Sequence, residues 1–249
     1  MQESGVHPIA VVPFKISKDE AVTIFDKWIK SRKFAPNDLK KLAKLKKLSG
    51  LYAPIFLFNF TATTEYSASC SNDYEDRKGN KRRGPTRYIN DIETKEFYNY
   101  IYTANKGLSS KIFRKLDCCI FSNVKSYQSE YMLGFTGVSS DYSVHDAYNG
   151  TKDEVSSSEA SRLKSRLNSR YDNVSFFKST TILSDVTNSY VYFPIWANHY
   201  HYKKKDFHCY INGDNGKVYG KSPKSLWKLL GFVSAIVGVG LLLFLLLKH

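Results

Sequence analysis

The chain has 249 residues, 42% of them hydrophobic and 15% aromatic, and a net charge of +14. Some 225 residues precede a C-terminal apolar run, enough for one large domain or two small ones with a real core. Its four cysteines, Cys70, Cys118, Cys119 and Cys209, contain no C-x-x-C spacing, which excludes a zinc ribbon within this sequence.

Residues 7–16, HPIAVVPFKI, read as extended chain. Residues 1–20 carry Pro8, Pro13, Asp19 and Glu20 and no apolar core, so no signal peptide is expected. Ser17 opens a helix through a capping-box pattern, Ser17-Lys18-Asp19-Glu20. Ala21, Ile24, Phe25, Trp28 and Ile29 then give it one apolar face. Residues 36–48 predict a second helix, with leucines on one side and Lys40, Lys41, Lys44, Lys46 and Lys47 on the other. A solvated face and a contact with lipid headgroups or phosphate both suit that side. Gly50 is expected to end this helix.

Residues 51–66, LYAPIFLFNFTATTEY, predict a long strand, with Pro54 marking an edge or a bulge. Residues 71–84 read as a polar loop and residues 87–103 as the returning strand. Lys78, Lys81, Arg82, Arg83 and Arg87 make a basic tip, suited to phosphate or simply to solvent. Residues 109–116 predict a short helix. Residues 117–150 read mostly as loop, with a helical turn near residues 130–135, and residues 158–171 as helix. From residue 173 to 220 three strand-like stretches follow, and Asn212-Gly213 and Asn215-Gly216 are turn signals. Lys203, Lys204 and Lys205 form a third basic cluster. Tyr52-Ala53-Pro54-Ile55-Phe56 is echoed by Tyr192-Phe193-Pro194-Ile195-Trp196, so two similar α+β halves are one reading of the chain.

Residues 229–247, LLGFVSAIVGVGLLLFLLL, have no charged side chain. A bilayer core of about 30 Å needs roughly 20 such residues, so this run predicts a transmembrane helix. Its anchoring residues are Trp227, Lys228, Leu229, Phe232, Phe244 and Leu247, with the indole placed at the interface. Lys217, Lys221, Lys224 and Lys228 precede the run and only Lys248 follows it. The positive-inside bias places the bulk of the chain in the cytoplasm, where its cysteines are reduced.

Several of these blocks, VVPFKISKDEAVTIFDKWIKSRKFAPNDLK, LSGLYAPIFLFNF, EYMLGF and YVYFPIWANHYHY with YINGDNGKVYGKSP, resemble a family of bacterial zinc-ribbon membrane proteins of uncharacterised function. The resemblance runs from Val11 to the apolar tail. Members of that family carry a four-cysteine ribbon ahead of the PFKI block, which this chain departs from. It is expected to be a ribbon-less relative or a longer chain trimmed at Met1. The resemblance implies an architecture and a membrane location, not a reaction.

Motifs for chemistry are sparse: the sequence holds no GxxxxGK[ST], GxSxG or HExxH. His199, His201, His208 and Cys209 are the metal candidates, since His199 and His201 share a strand face. Alternation with Tyr200 and Tyr202 favours the plainer reading, the polar face of a half-buried strand, so no metal is expected. Cys118-Cys119 is a vicinal thiol pair, and His145-Asp146 a conceivable base with its orienter.

The expectation is an α+β fold: antiparallel sheets with packed helices plus one C-terminal transmembrane helix. Residues 1–225 form a cytoplasm-facing domain, with sub-halves 1–107 and 108–225, and residues 226–249 a tail anchor. The expected function is a non-catalytic interaction or scaffold role at the inner membrane surface, without a cofactor. Its expected partners are anionic lipid headgroups and a further protein. A membrane-tethered nucleic-acid binder is the alternative, and an enzyme the second alternative.

Overall fold

The structure, a computed structural model, describes residues 8–39, 48–118 and 123–247. Their strands are β1 (Ala10–Val11), β2 (Ser49–Ser71), β3 (Asp73–Glu75), β4 (Lys81–Arg83), β5 (Arg87–Thr103), β6 (Lys125–Ser126), β7 (Thr136–Gly137), β8 (Asn173–Tyr202), β9 (Lys205–Asn212) and β10 (Val218–Gly220). The helices are α1 (Lys18–Ser31), α2 (Ser110–Lys115), α3 (Val144–Asn168) and α4 (Leu226–Leu247). The fold is mixed α and β, rich in antiparallel pairing.

The chain forms two compact units that interleave in sequence. One combines Met1–Ala10, Pro54–Ser110 and Ser139–Val191, and the other Val11–Ala53, Lys111–Val138 and Tyr192–His249. Each takes stretches from both sides of residue 107.

In the first unit β2 lies between β5 and β8. Phe60, Ala62, Thr64, Tyr66, Ala68 and Cys70 of β2 are buried, the alternation of a strand with one core face. They meet Ala147, Val155, Leu163 and Leu167 of α3. Pro54 is therefore not on an edge strand. Its carbonyl accepts from Ala104 N (3.1 Å) and residue-for-residue pairing with β5 begins at Ile55↔Thr103, so Pro54 sits where no N–H is demanded. The register shift falls instead between Phe58 and Phe60, where Asn59 Oδ1 accepts from the N–H of Asn99 (2.8 Å), a residue at φ 51°.

Helix α3 begins 14 residues before the predicted start at residue 158. Ser143 caps it in a full box with Asp146: Asp146 N donates to Ser143 Oγ (3.1 Å) and Ser143 N to Asp146 Oδ2 (3.0 Å). Its buried stripe is Ala147, Thr151, Val155, Glu159, Leu163 and Leu167. Thr151 breaks that stripe in the first half, so apolar periodicity alone conceals it.

Two further expectations change. The polar loop after Ser71 folds into the β3–β4 hairpin. The stretch after residue 173 is one unbroken strand to Tyr202, in which Asp185 takes φ 53° without ending it.

In the second unit the end of β8, β9 and β10 form an antiparallel meander. Helix α1, capped by Ser17 and Glu20 as the sequence predicts, buries Ala21, Phe25, Trp28 and Ile29 against Trp196, Tyr200, Tyr202 and Ile211. Gly50 belongs to β2 and does not end a helix; a Cβ there would lie 2.6 Å from Phe135. The Trp196 indole N–H donates to Ile16 O (2.9 Å). The lysine-rich face of the predicted second helix, Lys40, Lys41, Lys44 and Lys47, lies outside the described residues, as does Cys119.

Candidate anion-binding site

Helix α4 is long and apolar enough to cross a membrane. Its side chains Leu229, Phe232 and Phe244 are exposed, as is Trp227 at 85%. The first turns are nevertheless tied down. Ser225 N donates to Phe34 O (2.8 Å), and the Phe34 and Phe232 rings meet edge-on at 5.5 Å. Lys228 Nζ donates to Ala35 O (2.7 Å) and Asn37 Oδ1 (2.8 Å).

Beside this junction the second unit holds a cavity of about 1060 Å³. Arg32, Lys33, Lys203, Lys205, Lys221 and Lys224 line it, and among the described residues no carboxylate does. Among the described residues none of these six is in an ion pair. Half-buried Phe34 and Phe207 and buried Pro223 supply an apolar part of the lining.

Local structure places each cation. Arg32 follows the last residue of α1, and its guanidinium lies 5.1 Å from the Trp28 ring. Lys221 is set by its neighbourhood: Tyr200 Oη donates to Lys221 O (3.0 Å) and Lys221 N to His208 O (3.3 Å). The β8–β9 hairpin turns through Lys203 and Lys204, with Tyr202 opposite Lys205. Both turn residues have positive φ, 44° and 63°, where Asn-Gly is the usual pair. Tyr202 fixes the base of the turn by donating to both Asp38 oxygens (2.9 and 3.0 Å).

The other predicted sites divide. His199, His201 and His208 do share an exposed surface, gathered around Asp206. His201 Nδ1 lies 3.0 Å and His199 Nε2 3.3 Å from Asp206 Oδ1, and the His199 and His208 rings stack at 4.6 Å. The hydrogen bond from His201, with help from His199, holds the Asp206 carboxyl below the usual carboxylate range. Cys209 faces the opposite side, fully buried, and burial pushes its thiol well above the ordinary range. Among the described residues no group of three such side chains is placed to hold a metal. Asp146 is occupied by Ser143 and does not orient His145. Cys118 is buried.

In the β3–β4 tip, Lys81 pairs with Asp73 (3.8 Å), Arg82 with Asp76 (3.1 Å), and Arg83 Nε donates to Ser71 Oγ (2.9 Å). Lys78 donates through its backbone to Asp76 (2.9 Å). Two of its cations are thus answered within the hairpin. An open groove of about 460 Å³ in the first unit is lined by Glu65 and Asp91 as well as Lys178, so it favours neither sign. Sequence alone can set the Lys203–Lys205 turn beside Lys221 and Lys224 near the headgroups; Arg32 and Lys33, at the end of α1, join them only in the structure.

The structure thus defines an α+β protein with one helix suited to a membrane and a carboxylate-free basic cavity at its start. The chain is 27% identical over 234 residues to an uncharacterised protein, YdjG of Bacillus subtilis (strain 168), covering 93% of this chain and 68% of that one. No family model matches the chain. No solved structure matches it.

Proposed function

We propose that this is a single-pass membrane protein whose basic α+β portion faces the cytoplasm and acts as a non-catalytic interaction or scaffold protein at the membrane surface. The observation that carries the reading is the junction itself: six cations surround a cavity whose lining runs through Lys221, Ser222, Pro223 and Lys224 into α4. The lysine excess before α4 supports the cytoplasmic orientation.

The test is crosslinking of the full-length chain in its own membranes followed by affinity purification. A protein recovered at fixed stoichiometry supports the scaffold role. Recovery of nucleic acid in place of protein overturns it.

A further inference from the structure

We infer that the cavity at the start of α4 binds the headgroup of an anionic phospholipid from the leaflet in which α4 begins. The inference rests on the membrane reading above and adds the ligand class and the residues.

Charge is the first argument. Among the described residues Lys15 pairs with Asp214 at 2.7 Å and Lys217 with Asp117. Arg32, Lys33, Lys203, Lys205, Lys221 and Lys224 converge from three segments with no counter-charge in the lining. Like charges held together repel, so the arrangement is stabilised by an anion supplied from outside. Arg offers a planar fork for phosphate oxygens, and the lysines offer point charges.

Position is the second. Ser222, Pro223 and Lys224 lie just before α4, whose apolar run, residues 229–247, spans about 29 Å at 1.5 Å each. A helix of that length matches the hydrocarbon core, which leaves residues 221–224 among the headgroups. Phosphate there is membrane-borne.

Shape is the third. The cavity, at about 1060 Å³, has room for a glycerophosphate group, and Phe34 and Phe207 present apolar surface to its glycerol and upper acyl carbons. The turn at Lys203 and Lys204, in a backbone conformation that favours Asn-Gly, is what brings Lys203 into the lining.

The experiment uses the full chain in nanodiscs of phosphatidylcholine alone, or with phosphatidylglycerol or cardiolipin added, and native mass spectrometry to count retained lipids. The expected result is retention of anionic lipid at least tenfold above phosphatidylcholine. R32Q/K221Q/K224Q abolishes that preference, K33Q/K205Q weakens it several-fold, and K81Q/R82Q/R83Q leaves it within twofold. Equal retention of all lipids, or equal loss in the K81Q/R82Q/R83Q variant, overturns the inference. So does displacement by inorganic phosphate or duplex DNA at physiological salt, which would assign the cavity to a water-soluble anion or to nucleic acid. Alkaline extraction of membranes separates the two levels. A chain released by it refutes the membrane reading, whereas one that stays but shows no lipid preference refutes only this inference.

Discussion

Lys228 Nζ lies 2.7 Å from the carbonyl oxygen of Ala35, a residue 193 positions earlier in the chain. An ammonium from the first turn of α4 thus satisfies a carbonyl in the segment that follows α1. With Ser225 N on Phe34 O, it couples the direction of α4 to one wall of the basic cavity. A charged hydrogen bond of this kind contributes about 1.5–3 kcal/mol when its partners are partly buried. Lys228→Met should therefore loosen residues 32–37 by about 1–2 kcal/mol. Hydrogen exchange would read this as faster exchange at the Ser225 amide, with the amides of β9 unchanged. Unchanged exchange at Ser225 would rule the coupling out.

The Lys203-Lys204 turn sets stability against binding. Left-handed backbone costs a non-glycine residue about 1–2 kcal/mol. Lys203→Asn with Lys204→Gly relieves that strain and should stabilise the chain by about 1–2 kcal/mol, seen as a rise in Tm. The same variant should retain less anionic lipid, because Lys203 is one of the cavity's cations. A rise in Tm with lipid retention unchanged would mean that the turn is strained for some other reason.

The salt-bridge cluster on α3 predicts a pH dependence. Hydrogen bonds from Arg162, and then from Arg166, hold the Glu93 carboxyl below its usual range. Its folded pKa lies below its unfolded value, near 4.3, so the unfolded chain takes up the proton first. The stabilisation is present above about pH 4.3 and is lost as the pH falls through the folded value. Glu93→Gln should flatten the acid limb of the stability curve and lower the plateau at neutral pH. Arg162→Met goes further, since it also strips a partner from Glu159, which is 3% exposed. It should cost on the order of 2 kcal/mol, softened by Lys95 at 3.6 Å from Glu159.

Gly150 in α3 reverses an ordinary rule. Alanine usually gains about 1 kcal/mol over glycine in a helix interior. Here a Cβ would sit 2.6 Å from Tyr102 Cε2, so Gly150→Ala should destabilise by about 1–2 kcal/mol. Adding Tyr102→Leu should recover the loss. If the single variant proves more stable than the parent, the ring moves aside freely and the close packing is not what selects glycine.

How far the sequence could be read differs by element. The limits of β5, the Ser17 capping box and the apolar run of α4 were legible, because each rests on neighbouring residues. The front half of α3 was not, because Thr151 interrupts its apolar stripe and Gly150 looks like a loop residue until Tyr102 is beside it. Asp206 was missed among the histidines, since only the hairpin register sets it opposite His201. The basic cavity was legible in part. Lys221 and Lys224 sit beside the apolar run and the Lys203–Lys205 turn can be expected near them, but Arg32 and Lys33 join only once the end of α1 packs on the meander.

These contacts also decide where the chain should be cut. Removing residues 226–249 should release a protein that no longer partitions into membranes, because the transfer energy of an apolar helix is what holds it there. It would also remove Lys228 and Phe232, leaving the Ala35 carbonyl and one side of the Phe34 ring without their partners. That truncation is expected to be soluble yet destabilised by about 2 kcal/mol, from one charged hydrogen bond and one aromatic edge contact. A chain ending at residue 232 keeps both contacts and discards most of the apolar run. It should melt at the temperature of the full-length protein in detergent, within a few degrees, and leave membranes on washing. Two results would count against this account: a chain ending at residue 232 that still resists extraction, and equal stability for the chains ending at residues 225 and 232. The first would mean that α4 is not what holds the protein to the bilayer. The second would mean that Lys228 and Phe232 do not support the segment they touch.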